Sequence, residues 1–395
     1  MKIVRVATLN ELFAELDARG IQGDVRTFYI HDYLSRKMSS HMIPQDGVLE
    51  LTPLCNLDCK MCYVHLNANQ MPPQSHLLSV DDWKDIIRQA VDAGMMSANV
   101  TGGECLTYPG FREVYRYLAD LGVRVIVLTN GRLLTDDTVK FFHELPPELI
   151  KISVYGSDEA AYQRVTGHRA FAEVMAGIER VRAAGLKCKL TITPNRFMES
   201  DVEKLHEIIS SMGMAYGIGE VAMTARPETG RKLDDYAMDV EALLHLKKLY
   251  RNRLRAMRGK EEASVLDAQA DDDAVFFLPP EHEQRPGLPC GAGKSLFHVN
   301  WKGDLLPCSG FDTVRSNILE HGFLAAWEDV QRQLEAFRFP PECEECELRE
   351  YCQPCPCELM YGKLDGPINP AVCQRKRRYR EEGLGSFGAV ECGAE

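Results

Sequence analysis

Cys55, Cys59 and Cys62 stand in the stretch LTPLCNLDCKMCYV (51–64) with the spacing CxxxCxxC. Thiolates are soft ligands that select zinc, copper(I) or iron–sulfur clusters. A structural zinc ion and a four-iron cluster each normally take four protein ligands. Three thiolates on a four-iron cluster would leave one iron open to a substrate or cofactor. The alternative is a zinc ion whose fourth ligand lies elsewhere, such as His65.

Further residues suited to ligand binding follow three apolar runs downstream of these thiols. The first run ends in TGGEC, where Gly102 and Gly103 let the backbone approach a ligand and Glu104 can accept bonds from an ammonium group. The next run ends in TNG, with Asn130, and the third carries Ser153, whose hydroxyl could bond a ribose. A Gly-Gly or Asn-Gly pair alone is usually a turn. Because these motifs follow CxxxCxxC in order, at the ends of successive apolar runs, together they indicate a ligand-binding site.

A second group of thiols lies near the C-terminus. The chain has 14 cysteines, and such a number in a chain without an export signal indicates metal ligation rather than disulfides. Eight of them fall between positions 290 and 373: Cys290, Cys308, Cys343, Cys346, Cys352, Cys355, Cys357 and Cys373. They could hold two zinc ions or two iron–sulfur clusters. Cys105 and Cys188 are expected to be small buried residues instead.

The chain from about 46 to 222 supplies a regular scaffold for these residues. Short apolar runs alternate with amphipathic segments, such as the one capped by Ser79 and stopped at Gly94. The predicted strands are 48–52, 97–101, 123–129, 149–155, 187–193 and 217–223. Repeated strand–helix units predict an α/β fold with a parallel sheet. Six strands are too few for a closed eight-stranded barrel, so an open barrel or a doubly wound sheet remains, with ligands at the carboxyl ends of the strands.

Composition narrows the class of protein. Of the 395 residues 45% are hydrophobic, and the net charge is −12, which argues against a nucleic-acid binder. No apolar run reaches the roughly 18–20 residues of a membrane span, and the N-terminus lacks an export signal. We therefore expect a cytoplasmic protein without nucleic-acid or membrane partners. Its expected parts are an N-terminal cap segment (1–45), the strand–helix domain (46–240), a helical and acidic linker (241–289), the cysteine-rich domain (290–380) and a flexible tail (381–395).

With these motifs in order, residues from about 46 to 225 resemble the radical S-adenosylmethionine (SAM) superfamily. The resemblance implies a partial (β/α)6 TIM-like barrel in which Cys55, Cys59 and Cys62 hold a 4Fe–4S cluster whose open iron binds SAM. In that family the reduced cluster cleaves SAM to methionine and a 5′-deoxyadenosyl radical, which abstracts hydrogen from the substrate. The implied SAM contacts are the amino group on Gly102, Gly103 and Glu104, the ribose or carboxylate on Asn130 and Ser153, and the adenine edge on Tyr63.

The C-terminal thiols resemble the SPASM domain, which holds two auxiliary iron–sulfur clusters behind some radical SAM barrels. By resemblance one cluster is held by Cys343, Cys346, Cys352 and Cys373. The other would be held by Cys290, Cys308 and one further thiol, which the family pattern places at Pro356. Cys355 or Cys357 must serve instead, with Cys355 slightly favoured. If both bind, that cluster is an electron relay; if one binds, its open iron could hold substrate.

Two auxiliary clusters imply oxidative chemistry, because a cluster near a substrate radical can take an electron from it. The resemblance implies a maturase that cross-links or dehydrogenates a peptide side chain, reduced by a partner such as flavodoxin or ferredoxin. The 45 or so residues before the first strand are too few for the complete peptide-binding domain of many such maturases. The alternatives are a small-molecule or tetrapyrrole-modifying radical SAM oxidase, and a non-catalytic iron–sulfur electron carrier or zinc-stabilised binding module.

Overall fold

The architecture is that of a computed structural model, which describes residues 2–71, 76–214, 216–219, 223–257, 275–278, 288–349, 351–352 and 354–384. Its strands are β1 (Lys2–Arg5), β2 (Asp46–Glu50), β3 (Ser97–Thr101), β4 (Arg124–Thr129), β5 (Leu149–Val154), β6 (Cys188–Ile192), β7 (Tyr216–Ile218), β8 (Val275–Leu278), β9 (Leu296–Val299), β10 (Asp304–Leu306) and β11 (Ser316–Asn317).

Helices cover one face of these strands and connect them. They are α1 (Leu9–Ala18), α2 (Gly23–Ser40), α3 (Val80–Asp92), α4 (Phe111–Asp120), α5 (Asp136–Glu144), α6 (Glu159–Thr166), α7 (Phe171–Ala183), α8 (Val202–Ser211), α9 (Leu233–Tyr236), α10 (Val240–Met257), α11 (Ile318–His321), α12 (Phe323–Glu335), α13 (Pro341–Glu344), α14 (Pro356–Leu359) and α15 (Pro370–Glu381). Short 3₁₀ helices span Ala68–Gln70, Cys105–Thr107, Arg196–Asp201 and Pro227–Thr229. Within the described ranges, no helix is both long and apolar enough to cross a membrane.

One sheet organises the molecule. Over the described residues its nine strands run in the order β11-β10-β9-β2-β3-β4-β5-β6-β7, and the strands from β9 through β7 pair in parallel. β11 and β7 are its outer strands, so the sheet is open. The prediction of an α/β fold built on an open parallel barrel is thereby confirmed. β2 to β6 coincide with the first five predicted strands within two residues. β7 coincides with the start of the sixth predicted strand (217–223), of which residues 220–222 lie outside the described residues.

The helix predicted after Ser79 shows why the sequence folds this way. The Ser79 hydroxyl accepts a hydrogen bond from the Asp82 amide at 3.2 Å, and the Asp82 carboxylate accepts one from the Ser79 amide at 2.8 Å. This capping box fixes the start of α3. Trp83, Ile86, Ile87 and Ala90 then form a fully buried stripe against the sheet.

The C-terminal segment extends the barrel sheet. β9 adds in parallel to β2, with Val48 opposite His298, and β10 and β11 continue antiparallel. Phe297 stacks edge-on against Phe323 of α12 at 5.0 Å, inside the same hydrophobic core as the barrel. The thiols of this segment are therefore fixed relative to the barrel by ordinary apolar packing.

The N-terminal residues form a small unit of their own. α1 and α2 bury Leu12, Leu16 and Tyr33 together, and β1 pairs in parallel with β8. At the end of α2, Ser35 donates a hydrogen bond to Asp46 at 3.2 Å. The unit thus contacts the barrel at the amino end of β2, opposite the end where ligands bind in such folds.

Candidate functional site

The loop after β2 carries the first three thiols and is fastened to its neighbours by backbone hydrogen bonds. The Asp58 amide donates to the Thr166 carbonyl at 2.9 Å and the Lys60 amide to the Val165 carbonyl at 3.0 Å. Two backbone amides point at sulfur: Leu57 N lies 3.4 Å from Cys55 Sγ, and His65 N lies 3.2 Å from Cys62 Sγ. Such donors stabilise thiolates, the form that binds metal.

The three thiols lie close enough to influence one another. Burial raises the pKa of each of them, that of Cys55 to about 12. For Cys59 the next causes are the charges of Cys62 and Cys55. Three neighbouring buried thiolates need a compensating positive charge, which iron supplies. This donor set fits an iron–sulfur cluster.

The zinc alternative fits the geometry less well. Across the residues that the structure describes, no three His, Cys, Asp or Glu side chains converge tightly enough to share one metal ion. Ligands of a cluster bind different irons and stand farther apart than ligands of one zinc ion. His65, the candidate fourth zinc ligand, places its Nδ1 3.4 Å from Asp58 Oδ1.

The two glycines of TGGEC fit against the thiol loop itself. A Cβ on Gly102 would lie 2.6 Å from the Thr52 carbonyl oxygen, and one on Gly103 would lie 2.4 Å from that of Leu54. The Gly103 amide donates to the Thr52 carbonyl at 2.6 Å. The sequence predicted glycines for close approach to a ligand, and the structure shows close approach to the backbone that carries Cys55.

Glu104 joins two strand ends. Its buried carboxylate accepts bonds from the Thr129 hydroxyl at 2.8 Å, the Asn130 amide at 2.7 Å and the Leu106 amide at 3.2 Å. Burial raises its pKa. The Asn130 side chain in turn lies 3.5 Å from Cys55 Sγ. The Cys105 thiol is a fourth donor, 3.8 Å from Glu104 Oε1, whereas among the described contacts Oε2 accepts a bond from the Asn130 amide alone. Oε2 therefore keeps one of its two acceptor positions for an ammonium group, and the predicted role of Glu104 stays a prediction.

Two aromatic hydroxyls border the thiols. Tyr155, which sequence reasoning missed, lies beside the predicted Ser153, and its pKa is raised by burial and then by the charge of Cys59. Tyr63, predicted for the adenine edge, is half-buried and lies beside Ser309. Tyr155 stands two residues beyond Ser153 at the end of β5, and this strand-end position was the available signal.

The first auxiliary group contains both candidate cysteines of CQPCPC. Cys355 Sγ and Cys357 Sγ lie 3.2 Å apart. Burial, and after it the charges of Cys355 and Cys308, raise the pKa of Cys290 to about 12. Cys357 contacts Cys308 as well as Cys355. Four thiols therefore meet here, where spacing alone left the choice between Cys355 and Cys357 open.

Cys343, Cys346, Cys352 and Cys373, the thiols predicted to hold the second auxiliary cluster, lie near one another. Burial, and after it the charges of Cys373, Cys352 and Cys346, raise the pKa of Cys343 to about 11. These four thiols line a cavity of about 1310 Å³, whose wall is otherwise largely apolar. The cavity accommodates a cluster with space to spare.

A buried charged network, which the sequence did not reveal, joins the barrel to the C-terminal segment. Arg226 donates two hydrogen bonds of 2.6 Å to the carboxylate of Glu50, at the end of β2. His298 Nε2 lies 3.0 Å from Glu50 Oε2, and its Nδ1 lies 2.9 Å from Ser309 Oγ. Burial alone would raise the pKa of Glu50, but Arg226 and His298 together lower it. The carboxylate is therefore ionised.

Replacing Arg226 by methionine should destabilise the protein by about 3–5 kcal/mol, because the Glu50 carboxylate would stay buried without its partner. Thermal or denaturant unfolding of the variant measures the loss. Arg378→Met, which breaks an exposed pair with Glu241, is the matched control and should cost much less. Equal losses in the two variants would show that the buried network adds no stability of its own.

The fold and these sites define a class: an open parallel barrel with a three-thiol loop at a strand end and two four-thiol groups beside it. Comparison with known families agrees. Residues 49–209 match the model of the Radical SAM superfamily, and residues 290–356 match SPASM, described as an iron-sulfur cluster-binding domain. The chain therefore carries a radical SAM domain followed by a SPASM domain, and it is an enzyme. SAM and iron–sulfur clusters are its cofactors.

Proteins similar to this chain include a heme synthase and a peptide cyclase. The AdoMet-dependent heme synthase of Methanosarcina barkeri is 26% identical over 317 residues, which are 78% of this chain and 89% of that protein. The PqqA peptide cyclase of Xanthomonas axonopodis pv. citri is 23% identical over 84% of this chain and 88% of its own length. Streptococcus suis SuiB, solved with its precursor peptide SuiA, shares the fold with a TM-score of 0.63 and 18% identity, over 84% of this chain and 76% of that one.

Proposed function

We propose that this enzyme oxidatively modifies a peptide side chain by cross-linking or dehydrogenation. The observation that carries the proposal is the meeting of Cys290, Cys308, Cys355 and Cys357 in one group. A cluster held by four thiolates has no open iron for substrate, so it suits electron transfer. An electron acceptor beside a substrate radical makes the net reaction an oxidation.

Residue roles follow from the placement of each side chain. Cys55, Cys59 and Cys62 would hold the SAM-binding cluster. The cluster and SAM together would supply a 5′-deoxyadenosyl radical that removes hydrogen from the substrate. Glu104 holds the strand ends in place and offers its remaining acceptor position to the SAM amino group, beside Gly102 and Gly103. Further SAM contacts are proposed for Asn130, Ser153 and Tyr63. Cys343, Cys346, Cys352 and Cys373 would hold the second auxiliary cluster.

The peptide substrate is supported by relatives. PqqA peptide cyclase aligns over most of this chain, and the fold of SuiB, solved with a precursor peptide, is similar. The heme synthase relative, with 26% identity, favours a tetrapyrrole as the second candidate. We further propose a cytoplasmic enzyme with the domain limits given above. Residues 258–274 and 279–287 of the predicted linker and 385–395 of the predicted tail lie outside the described residues. The proposed enzyme is reduced by a flavodoxin or ferredoxin and has no nucleic-acid or membrane partners.

A direct assay separates the two substrates. The reconstituted chain, SAM and dithionite are incubated with any short peptide that is encoded beside its gene, or with an iron porphyrin. We expect 5′-deoxyadenosine together with a peptide that has lost a pair of hydrogens, seen by mass spectrometry. Conversion of the porphyrin without change in the peptide would contradict the peptide proposal.

Removing both thiols of the CPC pair should cost one cluster. In the double variant Cys355→Ala, Cys357→Ala, only Cys290 and Cys308 remain, fewer than the three thiols proposed to hold the SAM-binding cluster. Iron should therefore fall from about twelve atoms per chain, four for each of three clusters, to about eight. Cys188→Ala is the matched control, because Cys188 lies at the start of β6, outside all three thiol groups. Full iron content in the double variant would show that the CPC pair holds no cluster.

A further inference from the structure

A chain of hydrogen bonds leads outward from the barrel interior. Glu50 and His298 are joined at 3.0 Å, and their side chains are 1% and 0% exposed. His298 Nδ1 lies 2.9 Å from Ser309 Oγ, and the Ser309 side chain lies beside the Tyr63 hydroxyl. Ser309 and Tyr63 are both half-buried. The inner end of this series of hydrogen bonds is thus buried, and its outer end is partly exposed to solvent.

The outer end lies between two groups of thiols. Tyr63 directly follows Cys62, and Ser309 directly follows Cys308. The residue after Ser309 is Gly310, where a Cβ would lie 2.3 Å from Cys357 Sγ. A proton acceptor among these hydrogen-bonded side chains therefore borders both the SAM-binding loop and the first auxiliary group.

His298 can accept one further proton, at Nδ1. Because Glu50 is ionised, His298 Nε2 carries the hydrogen that it donates to this carboxylate, and Nδ1 accepts from the Ser309 hydroxyl. Burial lowers the pKa of His298, Glu50 opposes that shift and Arg226 adds to it. The charged groups near it are Glu50 and Arg226, and Asp312 and Glu228 act in turn on Arg226. The imidazole is neutral at neutral pH.

We propose that His298 takes up one proton when the centre held by Cys290, Cys308, Cys355 and Cys357 gains one electron. The inference rests on the proposed function, because it needs an iron–sulfur centre at those thiols. An added electron places negative charge near the imidazole and favours its protonated form.

The oxidation of a substrate requires both acceptors. When a carbon radical bonds to a neighbouring X–H group, the X–H bond breaks, the C–X bond forms, and one proton and one electron are released. Cys290, Cys308, Cys355 and Cys357 would hold the centre that accepts the electron, and His298 would accept the proton through Ser309. Charge in the buried site then stays unchanged overall, which avoids the cost of an unpaired buried charge.

The test needs no substrate. The reconstituted full chain is titrated with dithionite, and the midpoint potential of the auxiliary centre is followed by electron paramagnetic resonance from about pH 6 to about pH 9, around and above the ordinary histidine pKa. With one proton per electron, a tenfold drop in proton activity lowers the potential by up to about 59 mV. We therefore expect the wild-type potential to fall as pH rises.

The His298→Gln variant keeps a hydrogen-bonding side chain at this position, but glutamine cannot take up the proton. The midpoint potential of the auxiliary centre in this variant should therefore be independent of pH. His206→Gln is the matched control, since His206 is also partly buried and hydrogen-bonded, to the Tyr216 hydroxyl at 2.7 Å, and it should keep the wild-type slope. A wild-type midpoint potential that does not change with pH overturns the inference. The same pH dependence in His298→Gln as in the wild type also overturns it. If the variant does not fold, the wild-type titration alone is the test. A chain that binds only about four irons lacks the auxiliary centres and contradicts the proposed function itself.

Discussion

Replacing Cys59 by alanine will reduce 5′-deoxyadenosine formation from SAM and dithionite by more than about 100-fold. That factor is the upper range for losing a group that merely supports a metal ligand, and Cys59 is proposed as a ligand itself. It is buried between Cys55 and Cys62, so no exposed side chain can take its place. The measurement is chromatographic quantitation of 5′-deoxyadenosine, with iron analysis of the same sample.

Cys188→Ala tests whether the effect is specific to the thiol loop. Cys188 is half-buried at the start of β6, and burial raises its pKa. This variant should keep both its iron and its activity. If Cys59→Ala kept wild-type activity, or if Cys188→Ala lost as much, the assignment of the cluster to the loop after β2 would be wrong.

Gly103→Ala should be the second most damaging change, although it adds a single methyl group. The new Cβ would lie 2.4 Å from the Leu54 carbonyl oxygen and 2.6 Å from that of Pro53. Both acceptors are backbone atoms of the loop that carries Cys55, so the loop must move. We expect a stability loss of about 1–3 kcal/mol, as for other overpacked sites, and at least a tenfold loss of SAM cleavage.

The matched control is Gly122→Ala. Gly122 has a φ of 75°, and a Cβ added there would meet no atom of another segment within 4 Å, so alanine introduces backbone strain of about 1–2 kcal/mol without a clash. It should lower the unfolding temperature and leave SAM cleavage per folded molecule unchanged. Equal activity in the two variants would show that the glycine contact does not position the thiol loop.

Local patterns account for what could be predicted from the sequence. Strand–helix alternation located β2 to β7, and CxxxCxxC located the first thiol group, because both depend on residues close together in the chain. The same holds for the capping box at Ser79. Spacing also identified the eight C-terminal thiols, but it could not choose between Cys355 and Cys357, since only the folded CPC turn brings both sulfurs to within 3.2 Å.

Long-range contacts account for what was missed. Glu50 and Arg226 are 176 positions apart, and Arg226 and His298 are 72 apart, so no local pattern links them. The addition of β9 to β2 was missed for the same reason: a parallel pairing between distant segments leaves no signal in either one. Both features join the SPASM domain to the barrel, and neither of these two stretches of sequence indicates them on its own.

The most direct test of the whole account is electron paramagnetic resonance of the reduced, reconstituted chain before and after addition of SAM. Three thiols at Cys55, Cys59 and Cys62 leave one iron open, and two groups of four thiols leave none. The account therefore predicts three cluster signals, of which SAM changes one and leaves two as they were. Signals that SAM leaves entirely unchanged, or an auxiliary signal that shifts with it, would contradict the account.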